Sequence, residues 1–495
     1  MSLEAIITAV FILQGVAVVL CKILRDSRRV IAVPVVSSLI TSAGAVALLR
    51  HLLAEGPSLI FGGTLLIDEL SLLHILLVSF VFLCSSVYAT GYFREPIASG
   101  VLSRSYVQRY AILWLTFQLL LLLVLLSNNI GLMWVAIEAT TLVSAFLILS
   151  DSDDLSVEAM WKYLLICSVG IVFAFMGTIL TVTAARKIGG IDSVYLLSRL
   201  AQHPDLIDPK IMLFAFILIV VGFGTKAGLA PMHTWLPDAH SQAPTLVSAV
   251  FSSVMLNVAL FCILRYMPVT VAALGNTHHV HSILMLFGFL SLLFAAVFIP
   301  IQLDMKRFLA YCSVEHIGII AIGLATGGLG TFAALLHSVN HSVAKMLSFF
   351  SAGHIGDRYG TRDMSVIRGA VERVPVWGGA FFVAVLILLG IAPGAVFFSE
   401  LLILKEAFFT GKIVVVVLFM FLTLAIFIGA LRNVMHASFG STAAPPPRGN
   451  AVRPLEVILV VVLLLLAITP GLWLPDTVSG FLRKAAAVVE QGVRL

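Results

Sequence analysis

Long runs of apolar residues separated by short polar stretches dominate the pattern along this chain of 495 residues. A helix needs about 20 mostly apolar residues to cross a bilayer, and runs such as Val457–Ile468 lack the alternation of a transmembrane β-strand. The pattern therefore predicts an all-α polytopic membrane protein, in contact with lipid, with about fourteen transmembrane helices. The predicted crossings are Leu3–Leu20, Val30–Arg50, Leu70–Tyr92, Tyr110–Leu126, Ile130–Leu149, Val157–Ala184, Ile211–Leu229, Leu246–Tyr266, His281–Ile299, Phe308–Thr326, Phe332–Ala352, Val376–Phe398, Ile413–His436 and Leu455–Trp473.

The composition agrees with a chain whose surface faces lipid. Hydrophobic residues make up 60% of it and charged residues 11%, against about 25% charged residues in soluble domains, and the mean hydropathy is +1.09. The five cysteines occur singly, and the sequence has no P-loop, paired CxxC or HExxH motif. We therefore expect no cofactor and no bound metal. A basic patch interleaved with aromatic residues is also missing, which indicates no nucleic acid partner.

Basic residues between the predicted crossings indicate the orientation of the chain. When the crossings alternate, Lys and Arg are more frequent on the side that holds Lys22, Arg94 and Lys306 than on the opposite side. The positive-inside rule then places both termini on the non-cytoplasmic side of the cell inner membrane. The loop Arg186–Lys210 is an exception, because it carries four basic residues on the predicted outer side.

Glycine and proline interrupt two of the predicted crossings. The segment Thr225–Pro231 breaks the seventh crossing, and Leu389–Gly394 breaks the twelfth. Because these crossings are five apart, equivalent helices would enter the membrane from opposite sides, and such matched breaks indicate inverted repeats around a mid-membrane ion site. The predicted segments are a three-helix segment at 1–109, a first inverted repeat at 110–266, a second at 267–436, and a final helix with its tail at 437–495.

Three ionisable residues stand out because a charge at mid-bilayer costs about 2.5–3.5 kcal/mol on insertion scales. Glu138 and Lys226 lie in otherwise apolar stretches, and Glu400 follows the break in the twelfth crossing. A structural ion pair between Glu138 and Lys226 is one alternative explanation. A helix-end carboxylate wetted by the outer loop is the corresponding alternative for Glu400. We expect Glu138 to lie near Lys226, at one end of a polar line through the membrane.

Histidines extend this polar line in the second half of the chain. His337, His341 and Lys345 follow one another at intervals of four residues, which places them on one face of a helix. His316 lies one crossing earlier. A lone buried histidine is more often a hydrogen-bonded core residue, but together these groups suit proton transfer. Apolar surroundings make a lysine release its proton more easily, and imidazole, with an ordinary pKa of about 6.5, passes protons in either direction.

The residues around the first break resemble the signature of a known family. Lys226–Thr245 has the sequence KAGLAPMHTWLPDAHSQAPT, which is similar to the signature of proton-conducting, antiporter-like subunits. These belong to the membrane arm of complex I, to multisubunit cation/proton antiporters and to membrane-bound nickel-iron hydrogenases. Asp304–Ser313, with His316, resembles the tenth-helix signature of that family. Trp134–Leu142 and Glu158–Tyr163 are most similar to its hydrogenase-4 and formate hydrogenlyase branch.

The resemblance implies roles for particular residues. Glu138 matches the glutamate of the fifth helix, Lys226 the lysine of the broken helix, and Glu400 the position of an exit-side acidic or basic residue. Several relatives carry a connecting lysine on the eighth helix, where this chain has Asn257. We expect waters around Asn257, together with the helix face of His337, His341 and Lys345, to replace that lysine. The chain ends about twenty residues after its last predicted crossing, so no long C-terminal lateral helix is expected.

The resemblance also implies partners and a function. The expected partners are other membrane-arm subunits and the soluble redox subunits of a hydrogenase-type or complex-I-type complex, with protons and possibly sodium as transported ions. Redox-driven proton translocation, with all redox centres in the partners, is the leading prediction. A sodium/proton antiporter subunit without a redox partner and a scaffold subunit with an inactive channel are the alternatives.

Overall fold

Polar residues cap the N-terminus of many helices in this protein. Asn129, Asp208 and Asp304 each accept hydrogen bonds from two backbone N–H groups of the first helical turn that follows. These N–H groups have no partner inside a helix, so a capping side chain stabilises the helix by about 0.5–2 kcal/mol. The long helices of the protein therefore begin where short polar loops end.

A computed structural model describes residues 2–149, 153–190, 193–440 and 452–493 of the chain. Within these ranges, a two-stranded antiparallel sheet accompanies a set of α-helices. The strands are β1 (Ser58–Ile60) and β2 (Leu65–Ile67). The helices are α1 (Leu3–Ile23), α2 (Ser27–Glu55), α3 (Glu69–Tyr92), α4 (Arg94–Ala98), α5 (Arg104–Leu126), α6 (Ile130–Ile148), α7 (Asp154–Ala184), α8 (Leu197–Gln202), α9 (Pro209–Ala227), α10 (Trp235–Gln242), α11 (Thr245–Val250), α12 (Leu256–Leu274), α13 (His278–Phe298), α14 (Met305–Thr326), α15 (Leu329–Tyr359), α16 (Ala370–Arg373), α17 (Pro375–Leu388), α18 (Ala395–Phe409), α19 (Ile413–Ser438), α20 (Pro454–Leu472) and α21 (Asp476–Gln491).

Twelve helical segments of the described chain are long and apolar enough to cross a membrane. The prediction of an all-helical, multi-pass membrane protein is thus confirmed, with twelve such segments where about fourteen were expected. Two predicted crossings account for the difference. The eleventh is the 31-residue helix α15, which is rich in polar side chains, and the twelfth consists of the shorter helices α17 and α18.

Both predicted breaks are present as interruptions between helices. The helix α9 ends at Gly228, which has a φ of +82°, and the chain becomes helical again at Met232 and then in α10. The helix α17 ends before Gly390, which has a φ of +68°, and α18 begins at Ala395. Positive φ is easily adopted only by glycine, so a glycine is the residue best suited to each of these two helix ends.

The polar residues lie at the centre of the bundle. The segment Thr245–Leu274 and the helix α14 are buried along their whole membrane-length window, whereas the corresponding windows of α1, α19 and α20 are only 22% buried. Apolar side chains on these outer helices are exposed. Such an arrangement is expected in a bilayer, because a polar side chain costs least when other protein groups surround it.

Loops that are predicted to share a side of the membrane contact one another. A backbone bridge joins Leu65 to Ser127 on the predicted outer side, and another joins Asp304 to Asp363 on the predicted inner side. Each of these bridges joins chain segments separated by an even number of predicted crossings. The contacts therefore agree with the alternation of sides from which the orientation was predicted.

The strands and the helix α21 were not predicted from the sequence. The helix α21 is amphipathic and packs its apolar face against α3, α12 and α15. Near its end, the Glu490 carboxylate accepts hydrogen bonds from the Gly328 N–H (2.6 Å) and the Thr331 hydroxyl (2.7 Å). With 16 residues and a polar face, it is too short and too polar to be recognised as a crossing.

Candidate functional site

Lys226 lies in the last turn of α9 and is fully buried. Its Nζ donates hydrogen bonds to Oγ1 of Thr141 (2.6 Å) and to the hydroxyl of Tyr163 (3.3 Å). The same Nζ lies 5.7 Å from the centroid of the Tyr163 ring. The ammonium group is thus held by two hydroxyls and an aromatic face, which is a weak set of partners for a buried charge.

Glu138 lies on α6, one turn before Thr141, and its carboxylate accepts a hydrogen bond from Ser168 (3.1 Å). Its second carboxylate oxygen has no hydrogen-bond partner among the described residues. The charges of Glu138 and Lys226 are close enough to interact, but no ion pair joins these two described side chains. Glu138 therefore lies near Lys226 as expected, and a direct structural ion pair between them is not what holds either group in place.

Three histidines form a cluster between α14 and α15. Nδ1 of His316 and Nε2 of His337 are 2.9 Å apart, and the ring centroids of His316 and His341 are 4.9 Å apart. All three imidazoles are fully buried. Both ring nitrogens of His341 and Nε2 of His316 have no hydrogen-bond partner among the described residues. Buried polar atoms rarely stay unpaired, so water is the expected partner of these nitrogens.

Glu400 lies on α18, close to the second break and to two of the histidines. A donor atom from each of His316, His337 and Glu400 lies within 4.8 Å of the other two. A Cβ atom at Gly390 would come within 2.5 Å of Oε2 of Glu400, so the break leaves just enough room for the carboxylate. Ser399, the preceding residue, has its hydroxyl 2.9 Å from Nδ1 of His337.

Lys345 lies at the other end of the histidine cluster and is also fully buried. Its Nζ donates a hydrogen bond to the backbone carbonyl of Leu309 (2.6 Å). The buried carboxyl of Glu315 is close enough for its charge to interact with Lys345. The cluster of predicted residues thus runs from Lys345 past His341 and the other two histidines to Glu400.

Asn257 lies between the Lys226 region and the histidine cluster. Its Nδ2 donates hydrogen bonds to the hydroxyl of Ser342 (2.9 Å) and to the carbonyls of Ser253 (2.8 Å) and Ser338 (3.4 Å). Its Oδ1 has no partner among the described residues. A π-helical turn, Phe251–Met255, precedes Asn257 and widens the helix at this point. Asn257 is therefore bonded to α15, the helix that carries most of the cluster.

Several polar residues of this region were missed in the sequence. Tyr163 connects Lys226 to Ser144 (2.6 Å), and its hydroxyl lies 3.7 Å from the sulfur of Met255. Ser338 and Ser342 repeat the four-residue interval of His337 and His341 one position later. The sequence therefore did contain a signal for a second row of polar residues on this helix. No comparable signal marked Tyr163, because nothing in its local sequence shows that it faces α9.

We use the name polar axis for the polar groups from Glu138 to Glu400, whose two end residues are partly exposed and whose other titratable members are buried. The structure brings all seven predicted site residues into it, and Asn257 lies between its two halves. Its members are Glu138, Lys226, Asn257, Lys345, His341, His316, His337 and Glu400, with the hydroxyls of Thr141, Tyr163, Ser342 and Ser399 between them. Such a chain of titratable and hydroxyl groups is able to hold and pass protons.

Sequence comparisons place the chain among known membrane subunits. The model of the family described as NADH:quinone oxidoreductase/Mrp antiporter, transmembrane, matches residues 127–426. The chain is 35% identical over 434 residues to the hydrogenase-4 component F homolog of Methylacidiphilum infernorum, covering 87% of this chain and 89% of that one. It is 29% identical over 427 residues to NADH-quinone oxidoreductase subunit N of Desulforudis audaxviator, covering 84% and 82%.

Solved structures have the same fold. One is a chain of the membrane-bound sulfane sulfur reductase, an archaeal respiratory membrane complex, with a TM-score of 0.84, 22% identity and coverage of 99% and 98%. Another is a chain of the Mrp complex from a Dietzia species, with a TM-score of 0.84, 19% identity and the same coverage. The resemblance noted in the sequence motifs is confirmed, and the chain belongs to the NADH:quinone oxidoreductase/Mrp antiporter family of multi-pass membrane proteins.

Proposed function

We propose that this chain is the proton-translocating, antiporter-like subunit of a membrane-bound redox complex, of the hydrogenase or quinone-oxidoreductase type. The observation that carries this proposal is the polar axis, a row of mostly buried titratable groups at the centre of an otherwise apolar bundle. Burying so many ionisable groups is costly in a membrane, and such groups there are usually functional. The similarity to a hydrogenase-4 component F homolog supports the hydrogenase-type partner.

In this proposal, Lys226 takes up and releases a proton in the first half of the axis. Its contacts, Thr141 and Tyr163, are hydroxyls, which donate and accept hydrogen bonds and so tolerate both protonation states of the amine. A change in the interaction with Glu138 then decides which state is favoured. The proton is passed to the second half through Asn257 and the water that satisfies its Oδ1.

In the second half, the imidazoles carry the proton from Lys345 towards Glu400. The close contact of His316 with His337 and the partly exposed position of Glu400 support this direction of travel along the axis. The chain supplies no redox chemistry in this proposal. Electron transfer takes place in partner subunits, whose conformational changes act on the axis.

The proposed architecture follows from the same arrangement. We propose that α15 and the broken pair α17/α18 also cross the membrane, which gives fourteen crossings in the inner membrane with both termini on the non-cytoplasmic side. The first inverted repeat then contains residues 110–266 and the second contains 267–436. Each repeat holds one break in this scheme. The first contains the buried Lys226 and the second the buried Lys306 and Lys345, and Asn257 lies close to their boundary.

The experiment that tests this function is purification of the chain with its partners, followed by reconstitution into liposomes. We expect several membrane and soluble redox proteins to co-purify, and substrate oxidation to acidify one side of the vesicles. A sodium ionophore should leave this acidification unchanged if protons alone are moved.

Sodium-dependent exchange by the chain without redox proteins would instead favour the antiporter alternative. The 29% identity to a Na(+)/H(+) antiporter subunit of Alkalihalophilus pseudofirmus also suggests this alternative.

Replacement of Asn257 with leucine should uncouple the two halves of the axis. Leucine has a similar volume but no polar atoms, so it leaves the Ser342 hydroxyl without this donor and excludes water from Oδ1's position. We expect substrate oxidation to persist while the number of protons moved per electron falls, measured in the same liposomes. Ser342→Ala is the matched control for the hydrogen bond alone, and an unchanged stoichiometry in Asn257→Leu would mean that the halves are connected elsewhere.

A further inference from the structure

The three donor groups at the Glu400 end of the polar axis have the composition of a metal site. His316, His337 and Glu400 come from three different helices, α14, α15 and α18, and their donor atoms lie within 4.8 Å of one another. Both histidines are fully buried. Two imidazoles and one carboxylate are the ligands that bind zinc and similar ions in many proteins.

The surroundings of these donors also fit a metal site. Metal-binding histidines usually bond their second ring nitrogen to an outer partner, which fixes the ring. Nδ1 of His337 lies 2.9 Å from the hydroxyl of Ser399, and that hydroxyl lies 2.8 Å from the carbonyl of Val396. Nε2 of His316 has no hydrogen-bond partner among the described residues. The ring of His337 is therefore fixed through its second nitrogen, whereas the second nitrogen of His316 has no partner among the described residues.

We propose that His316, His337 and Glu400 bind a divalent transition-metal ion of the zinc type, and that the bound ion blocks the polar axis. The ligands of a tetrahedral zinc ion lie about 2.0–2.2 Å from the metal and hence about 3.4 Å from one another. The donor atoms now lie within 4.8 Å of one another, and side-chain rotation on metal binding would bring them to that spacing.

The metal ion competes with protons at this site. In the 2.9 Å contact between Nδ1 of His316 and Nε2 of His337, one ring nitrogen donates its proton to the other. A metal ion takes that place when this proton moves to the second nitrogen of its own ring, which for His316 is the unpaired Nε2, and a proton carried by Glu400 is released to water. Magnesium and calcium prefer sites made only of oxygen ligands, so they should not bind here. Metal binding itself does not depend on the proposed function, whereas the blocking of proton transfer does.

The entry route for the ion is the second break. Ala392 and Pro393 are exposed, and Glu400 is partly exposed in the second turn of α18. The carboxylate is therefore the first donor that an ion meets, and the two buried imidazoles complete the site behind it.

The test uses the chain purified with its partner subunits, and the probe is cobalt(II). The visible spectrum of bound cobalt(II) reports tetrahedral nitrogen and oxygen ligands. The background variant is His278→Ala with His279→Ala, which removes an exposed pair of neighbouring histidines on α13. We expect this background to bind one cobalt ion that zinc displaces and magnesium does not. Loss of all cobalt binding in the background variant would overturn the proposal.

Three substitutions in that background locate the site. Ser399→Ala removes the outer partner of His337 and should weaken binding about 10–100-fold, the usual effect of such partners. Glu400→Gln removes a proposed direct ligand and should therefore weaken binding more than the loss of an outer partner, by more than about 100-fold. Glu400→His keeps three donors, so it should retain the metal with a shifted cobalt spectrum. Unchanged affinity and spectrum in all three variants would overturn the proposal.

The effect on transport is measured separately, in liposomes that contain the wild-type complex. We expect zinc to inhibit proton translocation at the concentrations at which it displaces cobalt. Binding without inhibition would overturn the blocking step and leave the metal site in place. Absence of proton translocation before zinc is added would instead contradict the proposed function, and the cobalt spectrum would still decide on the site.

Discussion

Replacement of Lys226 with alanine is expected to stop proton translocation while the complex still assembles. The side chain is fully buried and contacts two hydroxyls rather than a carboxylate, so its loss removes a proton-binding group without leaving an unpaired charge behind. A positioned proton-transfer group typically contributes about 10²–10⁴-fold to a rate, so the decrease should be about 100-fold or more. The measurement is redox-driven proton movement in liposomes, normalised to the amount of assembled complex.

Two further variants separate titration from charge and packing. Lys226→Arg keeps a positive charge, but a guanidinium group does not release its proton in proteins, so this variant should be as inactive as Lys226→Ala. Lys405→Ala changes an exposed lysine on α18 and should translocate protons normally. Normal proton flux in Lys226→Ala would give Lys226 a structural role, and it would favour the alternative in which the channel is an inactive scaffold.

The bundle and its breaks were predictable because both depend on local composition. An apolar run long enough for a bilayer is visible in the sequence, and so are the glycines at which α9 and α17 end, Gly228 and Gly390. The position of α21 was not predictable, because its apolar face is recognisable only beside the helices that it covers. The same applies to α15, whose polar side chains reduce its hydropathy although its neighbours shield them.

The contacts of the site depend on how helices far apart in the sequence are rotated against one another. The presence of Lys226 in a crossing was evident, but its bond to Thr141 joins residues 85 positions apart. His337 and Ser399 are 62 positions apart, and they meet because α15 and α18 pack together. A four-residue interval places side chains on one face of a helix, and it does not show which other helix that face meets.

Glu400 is partly exposed, but its surroundings also include groups that a carboxylate wetted only by a loop would not meet. Its donor atoms lie within 4.8 Å of those of His316 and His337, and its Oε2 is packed against Gly390 in the break. Within the described part of the chain no ion pair involves Glu400, and Lys345 is bonded instead to the Leu309 carbonyl. We therefore expect a proton that arrives on a neighbouring imidazole to change whether Glu400 is charged. A group that releases protons at the end of the axis requires such a response.

Glu400→Gln should therefore block proton release and slow redox turnover that is coupled to translocation. Glutamine keeps the size and the hydrogen-bonding capacity of the side chain but removes its titration, so a packing role would survive the change. We expect proton movement to fall about 100-fold or more, as for other positioned proton-transfer groups, in liposomes with an assembled complex. Glu372→Gln, at an exposed carboxylate on α16, is the matched control and should have no effect. If Glu400→Gln moved protons at the wild-type rate, protons would have to leave the axis between His337 and the membrane surface by another route.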